Sequence, residues 1–304
     1  MSYTLNVSND DDGRRLDRFL RTTFKNVTLG EIMKSIRKGE VRINGTRVRD
    51  GSTHISAGDE LTVKWEKGEV IIPKSAGLGK IKVIHHGRNV MIVNKPSGIL
   101  VQPDEPNGDS VITRIWSFLG TRTPAAVHRL DRNTTGVLAV ALHGDALRAL
   151  EALFKARRVR KIYMAVLVGK VQDEITVDAP LLKDAENNIV KVSPDGMRAV
   201  SKITCLSTDG EYSLARIELL TGRTHQARVH AAHIGHPILG DRKYGDFHAN
   251  RVMSMVKRPL LHAYELGFPE DIDDSLEEIS GRNFVAELPD DMKDFTEKRF
   301  NIKK

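Results

Sequence analysis

The sequence predicts an α+β protein in which a small N-terminal α/β module precedes a larger domain with a mixed, largely antiparallel sheet. A chain of 304 residues exceeds one average domain, and 40% apolar residues are enough to bury a sizeable core. After residue 80, strand-like stretches separated by turn residues outnumber strand-helix-strand units. We therefore expect an N-terminal module at residues 13–65, a linker at 66–80 and a second domain at 81–304.

The N-terminal module is predicted to contain a short strand near Thr4 to Val7, then two helices, then short strands. Apolar residues recur at helical spacing in both helices. These positions are Leu16, Phe19, Leu20, Leu29, Ile32, Met33 and Ile36. The second helix is expected to end at Lys38, because Gly39 suits a helix C-cap. The dipeptide Asn44-Gly45 predicts a hairpin turn, and the stretch DELTVKW predicts a further strand.

Positive charge is concentrated in this module. The whole chain has 47 lysines and arginines against 40 acidic residues, a net charge of +7. Between Arg14 and Arg49 the acidic residues are Asp17, Glu31 and Glu40, and the basic residues are Arg14, Arg15, Arg18, Arg21, Lys25, Lys34, Arg37, Lys38, Arg42, Arg47 and Arg49. A solvated basic face is one interpretation. So local an excess favours the other, contacts with the phosphates of a polyanion.

Residues 66–80 mix Gly68, Pro73, Gly77 and Gly79 with lysines and show no clear periodicity, which is typical of a linker. The second domain follows. Its predicted strands lie in NVMIVNKP, AAVHRL, GVLAVAL, KIYMAVLVG, RAVSKITCLS and YSLARIELL, and its predicted helices lie in GDALRALEALFKARR and RTHQARVHAAHIG.

The tetrapeptide RLDR occurs twice, and its two surroundings differ. The first copy lies on the first helix, so we expect Asp17 to point to water beside neighbouring arginines. In the second copy, an alternating stretch at 127–130 leads into the turn residues 133–136 and an apolar run at 137–142. Asp131 is therefore expected at a strand end, on a turn held by a rigid scaffold, where catalytic groups tend to lie.

Arg223 is the expected partner of Asp131. The strand YSLARIELL ends at Thr221-Gly222, and a helix is predicted to start with Arg223, which such a turn can aim inward. A nearby guanidinium lowers the pKa of a carboxyl group and fixes its oxygens. Asp131 could then serve as a nucleophile or an electrostatic stabiliser, and a purely structural salt bridge is the alternative.

Tyr163 has two open interpretations from spacing alone. It lies on a predicted strand that begins with Arg160 and Lys161. A buried core tyrosine is the default interpretation, and a face for stacking a nucleobase is the other.

Four histidines, His225, His230, His233 and His236, raise the question of a metal site. Their offsets match no helical two-histidine zinc motif, and no phosphate-binding glycine motif is present. We therefore expect neither a metal nor a cofactor. Cys205 is the single cysteine and is expected on a half-buried strand, without a disulfide. With no signal-peptide pattern and no apolar run near about 20 residues, we expect a reducing cytoplasmic location and no membrane partner.

Several of these segments closely resemble a known family. HRLDRNTTGVLAVA, KIYMAV, TGRTHQARVHAAHIGHPILGD and VNKPSGILVQP are similar to the signature segments of the RluA-like large-subunit ribosomal RNA pseudouridine synthases. Residues 13–65 resemble the S4 RNA-binding domain that many of these enzymes carry. The resemblance covers nearly the whole chain. One departure is Gln102, where the family commonly has a histidine, which leaves that position without an assigned role.

The resemblance implies the pseudouridine synthase fold and the isomerisation of specific uridines in RNA, without metal or cofactor. Asp131 would attack the target uridine, Tyr163 would stack on the flipped uracil, and Arg223 would hold Asp131. Arg129 would project into the space that the flipped base leaves. The RNA-binding residues of the S4-like module would be Arg14, Arg15, Arg18, Lys34, Arg37 and Lys38.

The implied partner is large-subunit ribosomal RNA or a ribosome assembly intermediate, and we expect a monomer. A non-catalytic ribosome-associated RNA-binding protein is one alternative, but it predicts loss of Asp131, Tyr163 or Arg223, and all three are present. A carboxylate glycosidase for free nucleosides is another. It has no need of the basic module, and it requires a second carboxylate for which the sequence suggests no candidate.

Overall fold

The computed structural model describes residues 2–7, 11–25, 27–65, 69–70, 78–104, 108–184 and 186–301. The N-terminal unit combines two helices with a small sheet around its own apolar core. Its elements are β1 Ser2–Asn6, α1 Leu16–Thr23, β2 Phe24–Lys25, α2 Leu29–Lys38, β3 Val41–Ile43, β4 Thr46–Arg47, β5 Glu60–Lys64 and β6 Glu69–Val70. Within the described residues, the sheet has the order β1-β5-β3-β4, and its strands are antiparallel.

Local signals explain where these elements begin and end. Thr28 caps α2 through a reciprocal capping box with Glu31, which satisfies backbone N–H groups that the first turn leaves free. The helix ends at Gly39, whose φ of 70° lies in the left-handed region. Asn44 and Gly45 have φ angles of 50° and 79° and form the turn between β3 and β4. The predicted helix end and hairpin are thus confirmed.

The boundaries of this unit differ from the predicted ones. Since β1 pairs with β5 over its whole length, the unit includes residues before position 13. Within the predicted linker, β6 pairs with β2, so residues 69–70 continue the unit. Residues 66–68 and 71–77 of that linker, including Gly68, Pro73 and Gly77, lie outside the described part of the chain.

Asp17 does not point to water, and the prediction for it was wrong. Only 9% of the residue is exposed, and its carboxylate accepts two hydrogen bonds from Arg15 at 2.8 and 3.2 Å and one from the backbone N–H of Arg18 at 2.7 Å. Helical spacing correctly predicted that Leu16, Phe19 and Leu20 face the core. Asp17 is covered by the loop around Gly51, whose carbonyl accepts a hydrogen bond from the backbone N–H of Asp17 at 3.0 Å.

The larger unit contains the second sheet and the remaining helices. Its strands are β7 Lys82–His86, β8 Val90–Lys95, β9 Ala125–Ala126, β10 Thr135–Ala141, β11 Arg160–Val168, β12 Glu174–Asp178, β13 Leu181–Asp184, β14 Ile189–Val192, β15 Val200–Thr208, β16 Tyr212–Leu219, β17 Leu261–Gly267 and β18 Asn283–Val285. Its α-helices are α3 Val111–Leu119, α4 Gly144–Lys155, α5 Gln226–His233, α6 Phe247–Val252 and α7 Asp290–Phe300, and a 3-10 helix spans Asp274–Ile279.

The sheet of this unit is mixed and largely antiparallel, as predicted. Among the described residues its main order is β12-β15-β16-β11-β17-β10-β8-β7, with β18 beside β17 and β9 beside β10. The one parallel pair found there joins β10 to β17. At this contact a side chain on Gly136, which has a φ of 120°, would lie 2.0 Å from the carbonyl oxygen of Ala263. The glycine therefore permits the close approach of these strands.

Strand β10 is central, and all of its residues are buried. Its alternate side chains pack into different clusters: Val137 and Ala139 lie against α4, whereas Leu138 and Val140 lie against α3. The strand thus anchors both faces of the sheet and fixes the loop that precedes it. The two units also touch, since the amide of Asn6 donates to the carbonyl of Thr123 at 3.2 Å.

Several second-unit elements differ from prediction. The stretch AAVHRL forms a strand only at Ala125–Ala126, and residues 127–134 are irregular. The helices α3, α6 and α7 and the hairpin β13–β14 were not predicted. Cys205 is half-buried on β15, as expected. No helix in the described part of the chain is long and apolar enough to span a bilayer.

Candidate active site

Asp131 lies in the irregular loop 127–134, between β9 and β10, and several contacts hold this loop in place. The carbonyl of Asp131 accepts a hydrogen bond from the backbone N–H of Thr134 at 3.0 Å. His128 accepts one from the N–H of Ala139 at 3.0 Å, and its ring stacks on Phe154. Burial lowers the pKa of His128 to about 3, so the ring is neutral and can accept. The loop is therefore rigid at both sides of the aspartate.

Lys95, at the end of β8, binds backbone carbonyls of the same loop. The residue has no exposed surface, and its ammonium donates to the carbonyls of Pro96, Arg132 and Thr134 at 3.0, 3.0 and 2.9 Å. Burial lowers its pKa to about 7, but three carbonyl acceptors match the three N–H groups of the charged form. Lys95 thus fixes the backbone on the C-terminal side of Asp131.

Arg228 on α5 binds the carboxylate of Asp131. Its Nη1 donates to Asp131 Oδ2 at 2.8 Å, while its Nε and Nη2 bind both oxygens of Asp241 at 2.7 and 2.9 Å. The pKa of Arg228 is raised: burial opposes its charge, but the two carboxylates outweigh burial. Asp241 is 1% exposed and also accepts hydrogen bonds from the backbone N–H groups of Lys243 and Tyr244. The position of Asp241 is therefore fixed, and it in turn fixes the guanidinium of Arg228.

The predicted ion pair between Asp131 and Arg223 was wrong. Helix α5 begins at Gln226, and Arg223 lies in the preceding turn, where its Nε donates to the carbonyl of Arg198 at 3.1 Å. The side chain of Gln226 closes this turn by accepting from Thr221 and from the backbone N–H of Arg223. Both arginines belong to the stretch RTHQARVH, and sequence spacing alone could not show which one faces the loop at 127–134.

His225 and Tyr244 add a second contact to Asp131. His225 Nε2 lies 3.7 Å from Asp131 Oδ2, and its Nδ1 is 2.8 Å from the hydroxyl of Tyr244. The Tyr244 oxygen accepts the N–H of Val190 at 2.9 Å, so its proton is free to go to Nδ1. Burial lowers the pKa of His225, although Asp131 opposes this. A neutral His225 with its proton on Nε2, facing the carboxylate, satisfies this network.

Two adjoining cavities, of about 460 and 570 Å³, meet at Asp131. Such volumes suit a nucleoside-sized group and its neighbours. The residues that line both cavities are Arg129, Asp131, Thr134, Thr224, His225 and Arg228. Among the described lining residues, Asp131 is the only acid, whereas the basic ones are Arg129, Arg132, Lys155, Arg157, Lys161, Lys183, Arg223, Arg228, Arg242, Lys243 and Lys257.

Tyr163 on β11 lines the first of these cavities together with Asp131. Burial and the charge of Asp131 both raise the pKa of its phenol, so the group is neutral at physiological pH. Its neighbour Lys161 donates to the carbonyl of Thr221 at 3.2 Å, and burial lowers the pKa of this lysine. The tyrosine therefore belongs to the cavity wall as well as to the core.

The histidines do not converge. His230 is buried between Ser201 and the carbonyl of Ala179, and His236 binds the carbonyl of Val168. No group of three or more potential metal ligands occurs among the described residues.

The predicted phosphate-binding residues of the N-terminal unit fall into two groups. Arg14 and Arg15 are tied to Asp11 and Asp17 at 2.7 and 2.8 Å, and Lys38 lies 3.9 Å from Glu40. Arg18, Lys34 and Arg37 are exposed, and no ion pair is found for them within the described residues. Arg129 is exposed at the rim shared by both cavities.

Comparison with known proteins matches both units of this chain to family models. The RNA pseudouridylate synthase family model matches residues 89–233, and the S4 domain model matches residues 14–61. The matched segments contain Asp131, Tyr163 and Arg228, together with both helices of the N-terminal unit.

Whole-chain relatives agree with these matches. The chain is 36% identical over 282 residues to the ribosomal large subunit pseudouridine synthase C of Vibrio cholerae, covering 87% of this chain and 88% of the relative. It is 34% identical over 283 residues to the protein of the same name from Escherichia coli K12, covering 86% and 87%. The solved structure of human RNA pseudouridylate synthase domain containing 4 superposes with a TM-score of 0.59 and 26% identity, covering 75% of this chain and 95% of that one. The chain therefore belongs to the RNA pseudouridylate synthase family and is an RNA pseudouridine synthase that carries an S4 domain.

Proposed function

We propose that this protein converts specific uridines of large-subunit ribosomal RNA to pseudouridine, with Asp131 as the nucleophile. The observation that carries the proposal is one carboxylate, held by Arg228, at the meeting point of two cavities whose other charged lining residues, among those described, are basic. Such a lining attracts the phosphates that flank a target nucleotide. The names of the bacterial relatives support the choice of large-subunit ribosomal RNA.

The reaction is an isomerisation, so every atom of the uridine is retained. Asp131 forms a transient bond to the uridine, the N1–C1′ bond breaks, the uracil rotates and a C5–C1′ bond forms. The bond to Asp131 breaks again, which regenerates the carboxylate, and the proton lost from C5 is balanced by one gained at N1. Arg228 and His225 both lie beside Oδ2 of Asp131, whereas Oδ1 accepts no hydrogen bond from any residue that the structure describes. Oδ1 is therefore the oxygen available to the substrate.

The target uridine must leave its stack to reach Asp131, which lines both cavities and whose side chain is 28% exposed. Arg129 is two residues away, exposed, and at the rim of both cavities. We propose that Arg129 enters the space from which the base departs. Its guanidinium can stack on the neighbouring bases and offset part of the unstacking cost of a few kcal/mol.

Tyr163 is proposed to stack on the flipped uracil and to take part in proton transfer from C5. Tyr163→Phe keeps the aromatic face, so RNA affinity should change little, while turnover should fall by roughly 10²- to 10⁴-fold if the hydroxyl acts in proton transfer. Single-turnover assays at saturating RNA and anisotropy binding measurements separate the two. A Phe variant with unchanged turnover would exclude the hydroxyl. A lowered thermal unfolding midpoint of the Phe variant would instead identify Tyr163 as a core residue.

Pseudouridine mapping tests the substrate directly. Ribosomal RNA from cells lacking the protein should lose pseudouridine at one or a few large-subunit positions, and the purified protein should restore them in unmodified RNA. Plasmid-borne protein should restore the same positions in the cells. Loss of pseudouridine from transfer RNA alone would contradict the choice of ribosomal RNA while leaving the proposed chemistry intact.

A further inference from the structure

The segment 242–257, which follows Asp241 and contains α6, presents three large apolar side chains to solvent, Phe247, Val252 and Met255. Phe247 is 82% exposed and Met255 is 80% exposed, the highest values among the exposed large hydrophobic residues of the described chain. Single exposed apolar residues are common on protein surfaces. Three of them on a well-anchored segment beside an active site suggest a surface that contacts a partner.

Packing and hydrogen bonds hold the segment against the rest of the domain. Ala249 is buried, and Met253 and Val256 pack against the cluster that includes Leu260 and Met292. The side chain of Asn250 accepts the N–H of Gly240 at 2.7 Å and donates to the carbonyl of Asp241 at 2.9 Å. The position of Phe247 is therefore set by the fold, because Ala249 and Asn250 hold α6 against the rest of the domain.

The charge of the segment favours a polyanionic partner. Between residues 242 and 257 the basic residues are Arg242, Lys243, Arg251 and Lys257, and the acidic residue is Asp246. Arg251 lies four positions after Phe247, so both side chains lie on one face of α6. Arg242, Lys243 and Lys257 also line the second cavity beside Asp131, which makes the segment continuous with the cleft.

We propose that segment 242–257 is an RNA-contacting surface for nucleotides that flank the target uridine, a proposal that rests on the proposed function. An unpaired base stacks on Phe247 and contacts Met255, while Arg251 and the cationic ends of the segment bind the adjacent phosphates. Recognition of unpaired bases by an aromatic face beside cations is the usual way in which proteins bind single-stranded RNA. The surface would favour targets whose flanking nucleotides can leave their stack.

Phe247→Ala tests the stacking step in the full-length protein. With an unmodified large-subunit RNA transcript as the probe, the dissociation constant should rise roughly 5- to 100-fold. The salt dependence of binding should also stay unchanged, because no charge is removed. Arg251→Gln should instead flatten the slope of log K against log salt by about 0.7. Phe247→Trp, which keeps an aromatic face, should restore the affinity.

Two controls make the test specific. Phe118 is half-exposed on α3 beside His86 and lines neither cavity, so Phe118→Ala should leave RNA affinity unchanged. Lys34→Gln combined with Arg37→Gln in the S4 domain should flatten the salt slope without altering the effect of Phe247→Ala. Unchanged affinity of Phe247→Ala would overturn the proposal, and so would a loss of self-association in sedimentation, which would mark the surface as a contact between two copies. RNA affinity and pseudouridine formation are measured separately, so absence of pseudouridine formation with the expected affinity changes would contradict the proposed function alone.

Discussion

Asp131→Asn should abolish pseudouridine formation, with a fall in single-turnover rate of roughly 10³-fold or more, and should leave the fold and RNA affinity near normal. Asparagine nearly matches the shape of aspartate but is a much poorer nucleophile. Its amide oxygen can still accept the hydrogen bond that Arg228 Nη1 donates to Asp131 Oδ2 at 2.8 Å in the unmutated protein. The position of the loop should therefore survive, and the loss should fall on chemistry.

Asp17→Asn is the matched control, because Asp17 is the aspartate of the other RLDR copy, at residues 15–18. Asp17 is bound to Arg15 in the S4 domain and lines neither cavity. This variant should keep full turnover at saturating RNA, with any loss confined to the stability of the S4 domain. Both variants are to be assayed on unmodified ribosomal RNA with a chelator present. An Asp131→Asn protein that retains more than a small fraction of the activity would place the chemistry elsewhere.

Arg228→Met should lower the free energy of unfolding by roughly 3–5 kcal/mol, because it leaves a buried carboxylate without its cation. Asp241 is 1% exposed and takes two hydrogen bonds from Arg228. The folded fraction should also lose activity, since Asp131 Oδ2 loses its guanidinium donor. Denaturant unfolding, together with single-turnover assays on the folded protein, measures both effects.

Arg223→Met provides the comparison that separates the two arginines. Arg223 donates to the carbonyl of Arg198 and touches neither carboxylate, so its replacement should cost less than about 1 kcal/mol of stability. Adding Asp241→Asn to Arg228→Met should recover part of the stability, because a neutral amide is cheaper to bury than an unpaired carboxylate. Equal losses for Arg223→Met and Arg228→Met would contradict the assignment of Arg228 as the residue that holds Asp131.

Local features of this protein were predictable because their causes lie within a few residues. The α2 helix ends at Gly39, and Asn44-Gly45 makes the hairpin, since backbone preference and short-range hydrogen bonds decide both. The mixed, largely antiparallel sheet followed from the spacing of apolar stretches and turns. The surroundings of Asp131 set it apart from Asp17, because a turn before an apolar strand is itself a local pattern.

Tertiary packing decided the partners of those residues. Asp131 is 97 positions from Arg228, and helical spacing on α5 is compatible with several facing residues, so the sequence suggested Arg223 instead. Asp17 was expected in water because spacing on α1 says nothing about the loop that covers it. The carbonyls that Lys95 binds and the outward position of Phe247 likewise depend on which elements pack together. Sequence by itself determined the end of α2, the hairpin turn, the class of the sheet and the candidate nucleophile. The ionic framework around that nucleophile required the fold, because such contacts join residues that only long-range packing brings within hydrogen-bond distance.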